Sequence, residues 1–147
     1  MRKKIIQKIV LAGVVYKNTK ILIVKRHNNE KIFPGMWELP SGKKEPLEDW
    51  RQGLIREVQE ETALKVKVLI PVSVFSYVIE KKDIRDTTQI NFLVKPFPLA
   101  QQVKLSSEHS DYAWLKENKI ENYNLSKKTK QVIKDSFKII NKFYKNG

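Results

Sequence analysis

Between Gly42 and Leu64 the chain reads GKKEPLEDWRQGLIREVQEETAL, and the run REVQEE from Arg56 to Glu61 packs three glutamates around an aliphatic residue. On a helix, at roughly 100° per residue, Glu57, Glu60 and Glu61 fall within one arc of about 100°. Like charges three and four residues apart weaken a helix by about 0.2–0.5 kcal/mol per pair, so stability alone does not favour this patch. A divalent cation reverses that sign. Several carboxylate oxygens facing one point form the hard-oxygen environment that Mg²⁺ prefers. Such a site suits attack on a phosphoanhydride, which needs a cation on the phosphate oxygens, a positioned water and a group to take its proton.

The spacing is similar to the signature of the Nudix hydrolase family, G-x5-E-x7-R-E-U-x-E-E-x-G-U with U aliphatic. Gly42, Glu48, Arg56, Glu57, Glu60 and Glu61 fill the fixed positions, Val58 and Leu64 the aliphatic ones, and Ala63 stands where the pattern has its second glycine. The similarity extends from about Lys8 to Lys116. It implies Mg²⁺, with Mn²⁺ as a substitute, held by Glu57, Glu60, Glu61 and the backbone carbonyl of Gly42. Glu57 is then the expected general base, oriented by an ion pair to Arg56. Glu108, in SSEHSDYAWL, stands where many members carry a further loop carboxylate, as metal ligand or as base. Glu48 reads as a supporting group, either a charge at the helix N-terminus or a partner for Arg56.

The resemblance also implies substrate contacts. Arg26, at the end of the second strand, and Lys43, directly after Gly42, are candidate phosphate ligands. Trp37-Glu38-Leu39-Pro40 is similar to the WEFPGG segment of the MutT-like branch; Glu38 is then a contact to base or sugar, and Trp37 reads as core. His27 and His109 read as surface histidines. Ala63 has to close a helix where left-handed backbone is common, at a cost of about 1 kcal/mol and without removing a catalytic group.

The activity implied is Mg²⁺-dependent hydrolysis of a nucleoside diphosphate derivative, foremost a nucleoside triphosphate, oxidised forms included, to monophosphate and pyrophosphate. Two other readings stay open: an RNA 5′-end pyrophosphohydrolase, and a non-catalytic Nudix-fold module that binds nucleotide or RNA. The SQPWPFP motif of NADH pyrophosphatases is absent, and Pro71 and Tyr77 are misplaced for the ADP-ribose and dinucleoside polyphosphate branches. The lack of cysteine excludes a related isomerase that depends on one.

Composition sets the frame for that chemistry. A chain of 147 residues with 41% hydrophobic content is expected to form one domain over residues 1–147. The net charge of +13 favours anionic partners. Within residues 45–61, however, six acids stand against Arg51 and Arg56, so an acidic spot sits in a basic protein. The absence of cysteine suits a reducing compartment, and the cytoplasm is the expected location. The N-terminal MRKKIIQKIVLAGVVYK reads as a first strand rather than a secretion signal, because Gln7 and Lys8 interrupt its apolar run. A nucleotide is the expected partner and a membrane is not; monomer and homodimer are both open.

Patterning predicts a hairpin of Lys8 to Tyr16 and Ile21 to Arg26, a short strand Trp37 to Leu39, and a turn at Pro40-Ser41-Gly42. The motif helix is expected from about Glu48 to Thr62, with Leu47, Trp50, Leu54 and Val58 as its apolar stripe. Strands follow at Lys65 to Ile79, bent near Pro71, at Thr87 to Lys95 and at Asp111 to Leu115. A last helix runs from Ser126 to Lys145, its lysines forming a solvated face. That order resembles an α/β fold, the Nudix α/β/α sandwich with a mixed sheet between helices.

Overall fold

The computed structural model describes residues 2–144. β1 (Ile5–Lys17) and β2 (Lys20–Arg26) form the expected hairpin, whose turn places Asn18 and Thr19 at φ 51° and 64°. From Leu11 to Tyr16 every residue of β1 is buried, the mark of a central strand covered on both faces. Its neighbour on one side is β6 (Ile84–Pro96), parallel from Ile5↔Ile84 to Val15↔Val94. Beyond β6 lies the antiparallel edge strand β5 (Val66–Glu80). Its register slips between Val68 and Ile70 and again between Pro71 and Ser73, so the expected bend at Pro71 is a bulge.

Alternation along the strands sends side chains to two cores. Ala12, Val14, Tyr16, Ile21 and Ile23 face α2 (Lys127–Ile139), which answers with Val132, Ile133 and Phe137. Leu11, Val15 and Leu22 face the opposite way, against Leu54 and Val58 of α1 (Trp50–Thr62). The result is the predicted α/β/α sandwich around a mixed sheet. β3 (Trp37–Glu38) and β7 (His109–Leu115) pair with β2, and a 3-10 turn at Glu117–Asn122 leads into α2. After α2 the chain makes a wider turn, Ile140–Tyr144; Lys145, the expected end of the last helix, lies outside the described residues. No helix among the described residues is long and apolar enough to cross a membrane.

Three local expectations are corrected. Pro40-Ser41-Gly42 is not a bare turn, because Ser41–Lys43 forms β4 against β1. The motif helix starts at Trp50, not Glu48: Asp49 is its N-cap and accepts from the Gln52 N–H at 3.2 Å. Leu47 precedes the helix with φ 64° and is fully exposed, so it takes no part in the apolar stripe. Trp50 is partly exposed and stacks on Phe92, ring centroids 4.7 Å apart. Leu54 and Val58 carry the buried stripe alone.

Ala63 does close α1 in the left-handed region, φ 63°, with its N–H on the Gln59 carbonyl at 2.8 Å. A Cβ there is strained, so Ala63→Gly is expected to stabilise the protein by about 0.5–1 kcal/mol, less than the full relief because glycine also loosens the unfolded chain. Urea unfolding of the two proteins checks this; an unchanged or lower midpoint would contradict it.

Candidate active site

One edge of β1 serves two arms of the sheet. β4 pairs with it over Val10–Ala12, and β2 takes over at Tyr16. The chain crosses from one arm to the other at Leu39-Pro40, where the Pro40 carbonyl accepts the Gly13 N–H at 2.9 Å. Glu38 therefore belongs to the β2 arm, opposite Val24, and Gly42 to the β1 arm, opposite Leu11. α1 lies over β4 so closely that a Cβ on Gly42 would sit 1.8 Å from Oε2 of Glu57. Glycine at this position is a matter of space, since its backbone is in an ordinary conformation.

Arg56 gathers the acids of the motif. Its Nε and a terminal nitrogen donate to the two oxygens of Glu48 at 2.7 and 2.9 Å, a bidentate pair. The other terminal nitrogen donates to Glu57 at 2.7 Å and to Glu60 at 3.3 Å, and a weaker bond of 3.3 Å reaches the Lys43 carbonyl. Glu48, off the helix, is thus the partner of Arg56 rather than a fourth carboxylate on the helical arc. Hydrogen bonds from Arg56 hold its carboxyl down at about 2. Glu57 moves the other way: burial raises its pKa, against the pull of Arg56. Glu60 points outward and is well exposed.

Glu61 is the most enclosed acid, 6% exposed, and accepts the Ser41 N–H at 2.8 Å. Burial, with hydrogen bonding and charge from Glu108 and charge from Glu38, pushes its carboxyl up to about 9. Glu108, exposed on the loop before β7, is thereby brought to the motif helix. Among the described residues, one ligand atom each from Glu61, Glu108 and His109 lie within 4.8 Å of one another. His109 is corrected from a surface residue to a buried one: its Nε2 lies 2.8 Å from Oε2 of Glu38, and its Nδ1 is buried without a partner. Spacing gave no signal for this: the register of β7 on β2 shifts between Lys25 and Arg26, so the alternation of Ala113 and Leu115 does not carry through to His109. His27 is partly exposed, with its Nε2 2.7 Å from the Ser107 carbonyl.

Beside these groups lies a cleft of about 540 Å³, whose wall takes in Glu61 and Glu108 but not Glu57 or His109. Glu38, Gly42, Glu61, Glu108 and Arg26 line it, together with Trp37, Phe75 and Tyr77. Phe75 was not singled out by the sequence, and Tyr77 was weighed only as a branch marker, because an alternating edge strand gives no sign of which face meets a ligand. Trp37 is only partly core: it packs edge-on against Tyr123 and also lines the cleft. Arg26 is held by the Ile32 carbonyl at 2.9 Å and faces Glu30 and Glu38, each at 3.6 Å. Lys43 is exposed and is not part of the cleft wall, nor is Glu60. The donor set suits a divalent cation: two carboxyls crowd together at Glu61 and Glu108, and no cationic side chain pairs with Glu61 among the described residues.

Comparison with known proteins agrees with this geometry. A family model described as the NUDIX domain matches residues 7–136. The nucleoside triphosphatase NudI of Klebsiella pneumoniae (strain 342) is 27% identical, over 84% of this chain and 92% of that protein. NudI of an Escherichia coli strain is also 27% identical, over 87% of this chain and 95% of that one. The crystal structure of a MutT protein from Methanosarcina mazei Go1 superposes with a TM-score of 0.75 at 26% identity, covering 97% of this chain and 99% of that one. A NUDIX hydrolase from Nitrosomonas europaea, 18% identical, shares the fold with a TM-score of 0.74 over 97% of this chain and 75% of its own.

Two outcomes are expected from the packing. Gly42→Ala should displace the Glu57 carboxylate and lower kcat by about 100-fold, as a misplacement of about 1 Å does, while the melting temperature changes little. Steady-state kinetics beside a thermal melt test it, and near-normal turnover would contradict it. For Glu61, the folded protein binds its proton up to about 9, whereas an unfolded chain releases it near the ordinary 4.5. Between those values the folded state holds more protons, so stability in EDTA should fall as pH rises from 5 to 9. Glu61→Gln should flatten that slope and gain on the order of 2 kcal/mol at pH 8. Denaturant curves across that pH range provide the check.

Proposed function

The chain belongs to the Nudix family and is a pyrophosphohydrolase, and from that premise we propose that it hydrolyses a nucleoside triphosphate to the monophosphate and pyrophosphate with Mg²⁺ as its ion. The observation that carries this reading is the single cleft, which unites the Glu61–Glu108 carboxyl pair with the aromatic wall of Trp37, Phe75 and Tyr77. A nucleotide has matching parts, a polyanion and a flat apolar base. The nucleoside triphosphatase activity for which the NudI relatives are named is consistent with it.

Glu57, Glu60, Glu61 and Glu108, with the Gly42 carbonyl, would hold the ion. When bound, it polarises the phosphoryl oxygens and lowers the charge that a nucleophile must approach. The attacking water gives its proton to Glu57 as its oxygen bonds to phosphorus, and the anhydride P–O bond breaks to release pyrophosphate. Burial makes Glu57 a stronger base than a solvated carboxylate, and the 2.7 Å bond from Arg56 fixes which oxygen stays free. Arg26 and Lys43 neutralise phosphate charge at the rim, and Glu38 contacts the base or sugar. Glu108 is the alternative base. We place the protein in the cytoplasm, in keeping with its lack of cysteine.

The RNA reading has its own support in the +13 charge and in Arg85, Lys127 and Lys128 at the cleft. One screen separates the two. Pyrophosphate and phosphate release is followed over nucleoside triphosphates, dinucleotides, nucleotide sugars and 5′-triphosphate RNA. The expected result is turnover of a free triphosphate in Mg²⁺, lost on chelation, with Glu57→Gln lowering kcat by about 10²–10⁴-fold. Turnover of RNA alone, falling steeply with salt, would replace this reading with the RNA one. Tight nucleotide binding with no turnover in Mg²⁺ or Mn²⁺ would refute both.

A further inference from the structure

The nucleotide mechanism uses the carboxylates and leaves His109 unexplained. Its side chain is 1% exposed, and its Nε2 lies 2.8 Å from a Glu38 oxygen. In the tautomer that donates its Nε2–H to the Glu38 carboxylate, Nδ1 presents a lone pair. That Nδ1 is buried and has no hydrogen-bond partner. A buried acceptor left this way loses its hydration and gains nothing from the protein. Meanwhile a ring nitrogen of His109 lies within 4.8 Å of carboxylate oxygens from both Glu61 and Glu108. Adjacent ligands of a small octahedral ion are roughly 3 Å apart and opposite ones roughly 4.2 Å, so the three groups share one ion by drawing inward around it.

We propose that His109 supplies a nitrogen ligand to the divalent cation beside Glu61 and Glu108, making a mixed nitrogen–oxygen site that favours Mn²⁺ and similar first-row ions over Mg²⁺. Imidazole is a softer donor than carboxylate or water and suits transition ions, whereas Mg²⁺ is best served by oxygen alone. Glu38 completes the arrangement. A ligating histidine commonly donates its other N–H to a carboxylate, which fixes the tautomer and strengthens the donor, and Glu38 stands in that place. Arg26, 3.6 Å from the same oxygen, places a positive charge beside that pair. The inference rests on the ion binding in this cleft but goes past it, by naming the donor that selects among ions.

Pulsed EPR of the Mn²⁺-loaded full chain tests it directly, because a coordinated imidazole imprints a ¹⁴N modulation that carboxylates and water cannot. The signal is expected in the parent and in His27→Gln, which removes the other histidine, and is expected to vanish in His109→Gln. In competition, His109→Gln should lower the ratio of Mn²⁺ to Mg²⁺ affinity at least tenfold, whereas Glu61→Gln should weaken both ions. Mn²⁺ bound without ¹⁴N modulation would overturn the nitrogen ligand and leave the carboxylate site standing; so would modulation lost in His27→Gln. If no Mn²⁺ bound at all, the metal reading of the cleft would fail with it. Should His109→Gln not fold, the spectrum of the parent beside that of His27→Gln still decides.

Discussion

A single guanidinium holds the glutamate-rich motif in shape. Arg56 reaches the loop before α1 through Glu48 and the Lys43 carbonyl, and the helix itself through Glu57 and Glu60. It is flanked by three carboxylates, which raise its own pKa and leave it permanently charged. Lysine could not replace it, because a point charge on a flexible stem lacks the planar fork that meets Glu48 at two atoms while reaching Glu57 at a third. Exposed ion pairs contribute little to stability, yet here the geometry matters more than the energy. With Arg56 in place, the orientation of Glu57 and the path of the loop are one constraint.

The acids of the motif are sorted by depth, and depth sets what each can do. Glu48 takes the bidentate pair from Arg56 and stays ionised down to about 2. Glu57 shares Arg56 but is sheltered by Gly42, so its basicity rises while its orientation is kept. Glu61 has a backbone N–H and the Glu108 carboxyl beside it but no positive partner among the described residues, and it holds its proton up to about 9. A buried carboxyl without a positive partner is costly to ionise, and a divalent cation is the obvious remedy. The strain in this site is electrostatic rather than conformational.

The parts legible in the sequence were those set by local periodicity. The helical arc of glutamates, the buried Leu54 and Val58, the hairpin turn, the left-handed Ala63 and the apolar face of α2 all follow from neighbours a few residues away. What escaped depends on contacts between distant segments. Leu47 looked like the first apolar position of a helix, but the bond from the Glu45 N–H to the Glu48 carboxylate turns the chain there and exposes it. β4 was hidden because SGK has no strand character of its own; it pairs since β1 offers an open edge. His109 is buried by Glu38, 71 positions away in sequence, and no spacing rule reports such a meeting.

The split of the sheet at Leu39-Pro40 explains how one cleft serves two tasks. Gly42 and the helix above it, with Glu57, belong to the arm built on β1. Glu38, Arg26 and His109 belong to the arm built on β2, which approaches the same space from the other side. Glu61 bridges the arms: its carboxylate takes the Ser41 N–H of the first and lies beside Glu108 at the root of the second. Changes on the β2 arm can therefore alter which ligand or ion is accepted while the motif helix keeps its register on Leu54 and Val58. Because both arms hang from β1, which is buried on both faces, their separation is set by core packing rather than by the mobile ends of side chains. A site so divided keeps its chemistry fixed and its selectivity adjustable.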